Sequence, residues 1–247
     1  MSHWTETFFT EHFKEFGFDA RDPEHTEMEA RFIAGALDLK EGDRILDLCC
    51  GIGRHSLELS AMGYDVLGID LTKAYIECAQ SQSAEENLDC EFIVADMRDI
   101  PFQNEFDAAF NFFTSWGYYT DEENLEVLRQ VRKALKNGGR FLIEVMNRDW
   151  IIREFLPLDV NVIEDKKLIQ YRNFDPEKSM LEAEYIYFEG RKIVKHDTVD
   201  LRIYSLHEIF DMFRKAGLRP ITKWGNNLGR PFDFEKSNRC VVLGEAI

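Results

Sequence analysis

Short apolar runs alternate along this chain with longer stretches of helical spacing. Arg44-Ile45-Leu46-Asp47-Leu48-Cys49-Cys50 is a mostly apolar run that stops at Gly51-Ile52-Gly53, as a buried strand does when it ends in a tight loop. A helix is predicted over 54–62, and the alternation continues with strand 64–70, helix 72–86, strands 91–95 and 106–112, helix 121–136 and strand 139–146. Upstream, Asp22-Pro23 reads as an N-cap followed by proline at the first helical position, with Met28, Phe32 and Leu37 forming an apolar stripe. Asn137-Gly138-Gly139 is a helix stop, and Ser205-Leu206-His207-Glu208 is a capping box opening a helix that closes at Gly217. Strands 218–224 and 238–245 follow.

Repeated strand and helix units imply a doubly wound, mostly parallel sheet covered by helices on both faces. The stretch from 150 to 204 has a different texture, rich in β-formers with period-two alternation, and is expected to form a small antiparallel insertion. The chain is thus read as a single α/β domain over 1–247, with an N-terminal helical segment over 1–40.

Composition narrows the functional classes. Acidic residues outnumber basic ones by 46 to 30, and the net charge of -16 repels phosphate backbones, so nucleic acid is not an expected partner. The basic pairs Arg132-Lys133 and Lys166-Lys167 are isolated rather than parts of a block. Five cysteines without a CxxC pair argue against a zinc site or a disulfide framework, so no metal is expected and a reducing compartment fits. The first residues lack a basic region followed by an apolar stretch, and no apolar run approaches membrane-spanning length. The expectation is a cytoplasmic protein without a membrane partner; oligomeric state is left open, with a homo-oligomer as one option.

Open α/β sheets bind ligands beyond the carboxyl ends of their strands, which directs attention to the first strand-loop-helix unit. Glycines at 51 and 53 let the backbone turn sharply and approach a ligand closely. Asp70 ends the second strand 19 residues after Gly51, where a carboxylate can accept hydrogen bonds from both hydroxyls of a ribose.

Asp47, Gly51 and Gly53 resemble the first motif of the class I S-adenosylmethionine-dependent methyltransferases: an acid, three residues, then Gly-x-Gly. The resemblance implies a seven-stranded sheet whose last strand, ending Arg239-Cys240-Val241-Val242-Leu243, is antiparallel. It implies S-adenosyl-L-methionine as cofactor, with Asp70 on the ribose, Asp96 at the adenine, and Leu71, Met97 and Asn111 completing the site. Cys50 departs from the pattern, since many members carry glycine there. A dinucleotide-dependent oxidoreductase competes by fold, but its fingerprint wants a third glycine where this chain has Ser56. A non-enzymatic S-adenosylmethionine-binding regulator remains a further alternative.

Methyl transfer requires alignment of an acceptor, exclusion of water and, for some acceptors, removal of a proton. Asn111-Phe112-Phe113-Thr114 lacks the two prolines of the family's exocyclic-amine motif, which disfavours a nucleobase amine. A small-molecule acceptor is expected, with a protein or peptide acceptor as runner-up. The aromatic run through Trp116, Tyr118 and Tyr119 is a candidate wall beside the sulfonium. His55 and His196 are candidate bases, and Arg148 is a candidate clamp for a substrate carboxylate. The insertion is expected to roof the acceptor pocket with the polar face of its last strand, His196, Thr198, Asp200, Arg202 and Tyr204.

Overall fold

The structure, a computed structural model, describes residues 3–247. Two short helices, α1 (Thr5–Phe8) and α2 (Glu11–Lys14), and a π-helical turn over Glu15–Asp19 precede α3 (Pro23–Leu37). Asp22 caps α3 by accepting the Glu24 amide at 3.1 Å, and Pro23 gives up a helical amide that would have no partner there.

The α/β core then runs through β1 (Arg44–Leu48), α4 (Arg54–Ala61), β2 (Asp65–Asp70), α5 (Lys73–Glu86), β3 (Cys90–Val94), β4 (Phe106–Asn111), α6 (Asp121–Ala134) and β5 (Leu135–Met146). After α7 (Arg148–Arg153) come four strands, β6 (Leu158–Ile163), β7 (Lys166–Asp175), β8 (Met180–Glu189) and β9 (Lys192–Arg202). The chain closes with α8 (Leu206–Lys215), β10 (Leu218–Trp224) and β11 (Arg239–Ala246). The predicted capping box of Ser205 with Glu208 forms on α8, and the structure adds a second, Thr120 with Glu123 on α6; a cap of this kind stabilises a helix by about 1 kcal/mol.

Seven strands form one sheet in the order β10-β11-β5-β4-β1-β2-β3, and β11 is antiparallel to both of its neighbours. The parallel strands at its centre are buried on both faces. One apolar cluster packs α6 and α8 against Leu46, Leu48, Phe141 and Ile143; another packs α3 against Ile45, Phe110 and Leu142. β6-β7-β8-β9 form a separate antiparallel sheet. One expectation needs amending: Asn137-Gly138-Gly139 does not stop a helix, because α6 already ends at Ala134. Leu135 pairs with Phe106, so the glycines absorb a register shift within β5.

Among the described residues no helix is long and apolar enough to cross a membrane, and no group of His, Cys, Asp or Glu is arranged to hold a metal ion.

Candidate active site

The parallel strands deliver β1, β2, β3 and β4 to one edge of the large sheet, and the loops leaving that edge border a cavity of about 570 Å³, a size suited to a small ligand. After Leu48 the backbone turns through left-handed residues at Cys49 (φ 62°), Gly51 (φ 57°) and Gly53 (φ 81°). A side chain at Gly53 would collide with the Phe92 ring at 2.8 Å, and one at Gly51 with the Phe18 ring at 2.9 Å. Glycine at 53 therefore lets α4 settle on β3, whereas glycine at 51 keeps the cavity wall bare.

Asp70 holds this corner together. One carboxylate oxygen accepts the Gly51 amide at 3.0 Å and the other accepts the Thr72 amide at 2.8 Å. Burial nevertheless raises its carboxyl above the usual range. Asp47, beneath the loop and 3% exposed, accepts the Ser56 hydroxyl at 2.6 Å, and burial pushes it up to about 6. Asp96 sits after β3 under three contacts from the Arg98 side chain at 2.7 to 3.1 Å. Burial opposes its ionisation, but the Arg98 hydrogen bonds outweigh that and hold it below the ordinary carboxylate range. Leu71 and Met97 also line the cavity.

Two of the expected site residues lie behind this wall. The Asn111 amide donates to the Leu48 carbonyl at 2.7 Å, stitching β4 to β1, and its side chain does not line the cavity. Gly53 is likewise turned onto Phe92 and Ala79.

Across the cavity from Asp70 stands the inner face of the small sheet. Period-two alternation in β9 separates two faces, and the one that meets the cavity is the apolar one, Val199 and Leu201, beside Leu181, Ala183 and Tyr185 of β8. Farther along, Gln170 and Arg172 of β7 and Asp159 and Asn161 of β6 form a polar island; the Arg172 guanidinium donates to Asp159 at 2.9 Å and to Gln170 at 2.8 Å. The expectation for the opposite, polar face is corrected. His196 is on the outer surface, 3.4 Å from Glu184. Arg202 is committed to Asp121 at 3.2 Å and Glu208 at 2.7 Å, outside the main cavity. Tyr204 is buried, stacked on Trp116 with 4.4 Å between ring centroids, its hydroxyl between Asp121 and Asn124. Twist and the end of pairing at Arg202 carry these last residues off the sheet and into the α6 and α8 layer.

Two further candidates have structural partners. Arg148 donates to the Ser179 hydroxyl at 2.7 Å and does not reach the cavity. His55 borders it, but Nε2 is 2.8 Å from Glu29 and the side chain is 9% exposed. Glu29 also meets His25 at 3.3 Å and Arg54 at 3.9 Å. Burial works against its charge, yet these partners, His55 first, hold its pKa below the ordinary value.

A third wall was assigned no role in the sequence. Residues 4–21 form a strap between the small sheet and α5. Phe8 packs on Ala183 and Val199, Lys195 donates to the Thr7 and Phe8 carbonyls at 3.1 and 3.3 Å, and the Tyr75 hydroxyl donates to the Thr10 carbonyl at 2.8 Å. Trp4, Phe8, Phe9, Phe13 and Phe18 turn toward the cavity, joined by Tyr118, Trp150 and Phe155. The available signal was five aromatics within the first 16 residues, a density that an exposed leader has no reason to carry.

A sequence profile described as a methyltransferase domain matches residues 45–139, which run from β1 through the turn inside β5. A provisionally named methyltransferase of Bacillus subtilis is 28% identical over 188 residues, covering 73% of this chain and 75% of its own. The CcbJ methyltransferase from Streptomyces caelestis superposes with a TM-score of 0.83 at 20% identity, over 99% of this chain and 98% of the other. A sugar N-methyltransferase from Streptoalloteichus does so with a TM-score of 0.67 at 21% identity, over 94% and 90%. With the glycine loop, the strand order and these likenesses in agreement, residues 45–139 carry a methyltransferase domain and the chain as a whole has the Rossmann-like fold of the class I S-adenosylmethionine-dependent methyltransferases.

Proposed function

We propose that S-adenosylmethionine lies across the ends of β1, β2 and β3 and presents its methyl group to a small-molecule acceptor held between the strap and the small sheet. The observation that carries this reading is Asp70: a buried carboxylate at the end of β2 that grips both adjoining loops and still borders the cavity. Each of its oxygens has acceptor capacity left after one amide contact, as a ribose diol requires. Asp96, Leu71 and Met97 would border the adenine, and Gly51 the chain that carries the sulfur. Gly53 and Asn111 act from behind the wall, and the nearly buried Asp47 at its base holds Ser56, fixing the loop's shape.

Charge supports the assignment. Burial raises both Asp47 and Asp70, so this corner favours a ligand that brings positive charge. When bound, the cofactor supplies an electrophilic methyl group on a sulfonium. The chain's own task is then to orient the acceptor and keep out water. The strap aromatics and Tyr118 close the chamber, and the island of Asp159, Asn161, Gln170 and Arg172 offers hydrogen bonds that fix an acceptor's orientation. Burial pushes the hydroxyls of Tyr75, Tyr118 and Tyr185 up, so they stay protonated and donate rather than accept a proton. Asp159 and Glu154 are the carboxylates on the acceptor side able to receive one.

A chamber of about 570 Å³ under a packed strap suits a metabolite better than a protein segment or a nucleobase in a polymer, and the net charge of -16 points the same way. The thiols of the described residues are free, which supports a reducing, cytoplasmic setting. The test is to incubate the protein with methyl-labelled S-adenosylmethionine and a cell extract separated into metabolites, proteins and nucleic acids. Label is expected in the metabolite fraction; label confined to protein or nucleic acid would overturn the acceptor class.

A further inference from the structure

The small sheet turns one face to the cavity and the other to solvent, a position in which strands ordinarily put apolar residues inside and polar ones outside. In β6 that order is reversed: Asp159 and Asn161 border the cavity, while Leu158, Val160 and Val162 point away from it. Strand pairing extends the outward residues into three rows. The first is Leu158, Tyr171, Glu184 and Thr198; the second is Val160, Ile169, Ile186 and His196; the third is Val162, Lys167, Phe188 and Ile193. Eight of these twelve side chains are apolar and none of the eight lines the cavity. Leu158, Val160, Val162, Tyr171 and Ile193 keep 47% to 61% of their surface in water. A contiguous apolar patch of this kind marks a surface of association.

Its charges say with what. Lys167, in the third row, is exposed and makes no ion pair among the described residues. Glu184 is in the first row of the neighbouring strand, 3.4 Å from the exposed His196. A two-fold axis lying across the strands at the second row reverses each strand over its own copy. The first row of one protomer then covers the third row of its partner, and the apolar middle row packs on itself. Lys167 of one protomer comes to lie over Tyr171 and beside Glu184 of its partner, and symmetry makes the contact twice. The size is adequate as well. Over the ten-residue strands β7 and β8 the face measures about 19 by 34 Å, and side-chain relief brings that close to the roughly 800 Å² per partner of a stable interface. We propose that a second copy of this chain packs on this face, sheet against sheet, in a two-fold symmetric dimer. The contact fixes β6, an edge strand whose inner residues border the acceptor end of the cavity.

Sedimentation equilibrium of the full chain tests the proposal, with each variant first shown to melt cooperatively. Wild type is expected to be a dimer at micromolar concentration. Val160→Glu sets a carboxylate against its own copy and should weaken dimerisation at least about tenfold. Lys167→Glu and Glu184→Lys each put two like-charged pairs across the interface and should each weaken it by about tenfold. An equimolar mixture of these last two variants should dimerise as tightly as wild type, because the mixed dimer restores opposite charges at both contacts. A change confined to one protomer cannot produce that rescue. A monomeric wild type, a dimer indifferent to Val160→Glu, or a mixture no tighter than its components overturns the proposal.

Discussion

His55 meets Glu29 at 2.8 Å with both side chains nearly sealed from solvent, so α4 is pinned to α3 by an ionisable pair bordering the cavity. Removing one member of such a pair leaves the other buried without its partner. His55→Ala is expected to lower unfolding free energy by about 3 kcal/mol in urea titrations. Its kcat, measured well below the unfolding transition, should stay near the wild-type value. A kcat collapse with unchanged stability would make His55 a base rather than a brace.

The glycine loop and Asp70 were legible because their requirement is local: a backbone that must turn with positive φ, and an acid at a strand end. The caps on α3 and α8 were legible for the same reason. Alternation in β9 showed two unlike faces but not which one met the cavity. Val199 and Leu201 face it because the strap, through Phe8, closes the space over them. The strap itself lacks helical periodicity because its aromatics are covered from two sides, by the small sheet and by α5. Asn111 had the chemistry of a site residue, but its amide is consumed by the Leu48 carbonyl, a contact made 63 residues away in sequence.

Asp47 makes stability depend on pH. In the unfolded chain it loses its proton near the ordinary aspartate value of about 4, whereas in the fold it does so at about 6. Between these values the folded protein binds the extra proton, so stability falls as pH rises through that window and stays lower above it. Glu29, held below its usual value, has the opposite sign, its contribution being lost as pH falls toward its folded pKa. Unfolding free energies from urea titrations at about pH 4.5 and 7 should therefore differ less in Asp47→Asn than in wild type, by about 2 kcal/mol. Identical pH dependence in the two proteins would refute the buried titration.

The two loop glycines should separate by consequence. Gly53→Ala meets a ring and the Ala79 methyl beneath it in a left-handed backbone, and should cost about 2–4 kcal/mol in urea unfolding. Gly51→Ala meets only the Phe18 ring of the strap, so it should cost about 1–2 kcal/mol while weakening S-adenosylhomocysteine more strongly. The reverse ranking in stability would contradict the division between wall and support.

Substitutions on the small sheet should follow its faces. Leu201→Ala enlarges the chamber and should raise the acceptor KM without altering S-adenosylhomocysteine affinity, while His196→Ala on the outer face should alter neither. Arg202→Ala should lower the melting temperature through its lost ion pairs and leave the acceptor KM alone. A KM effect from His196→Ala as large as that from Leu201→Ala would return the polar face to the pocket.

Titration of S-adenosylhomocysteine into wild type and Asp70→Ala by calorimetry tests the central claim most directly. The account predicts a single site in wild type and a loss of about 1.5–3 kcal/mol in the variant, the range for a hydrogen bond to a charged group. Equal affinity in the two proteins, or NADH binding in place of S-adenosylhomocysteine, would contradict it.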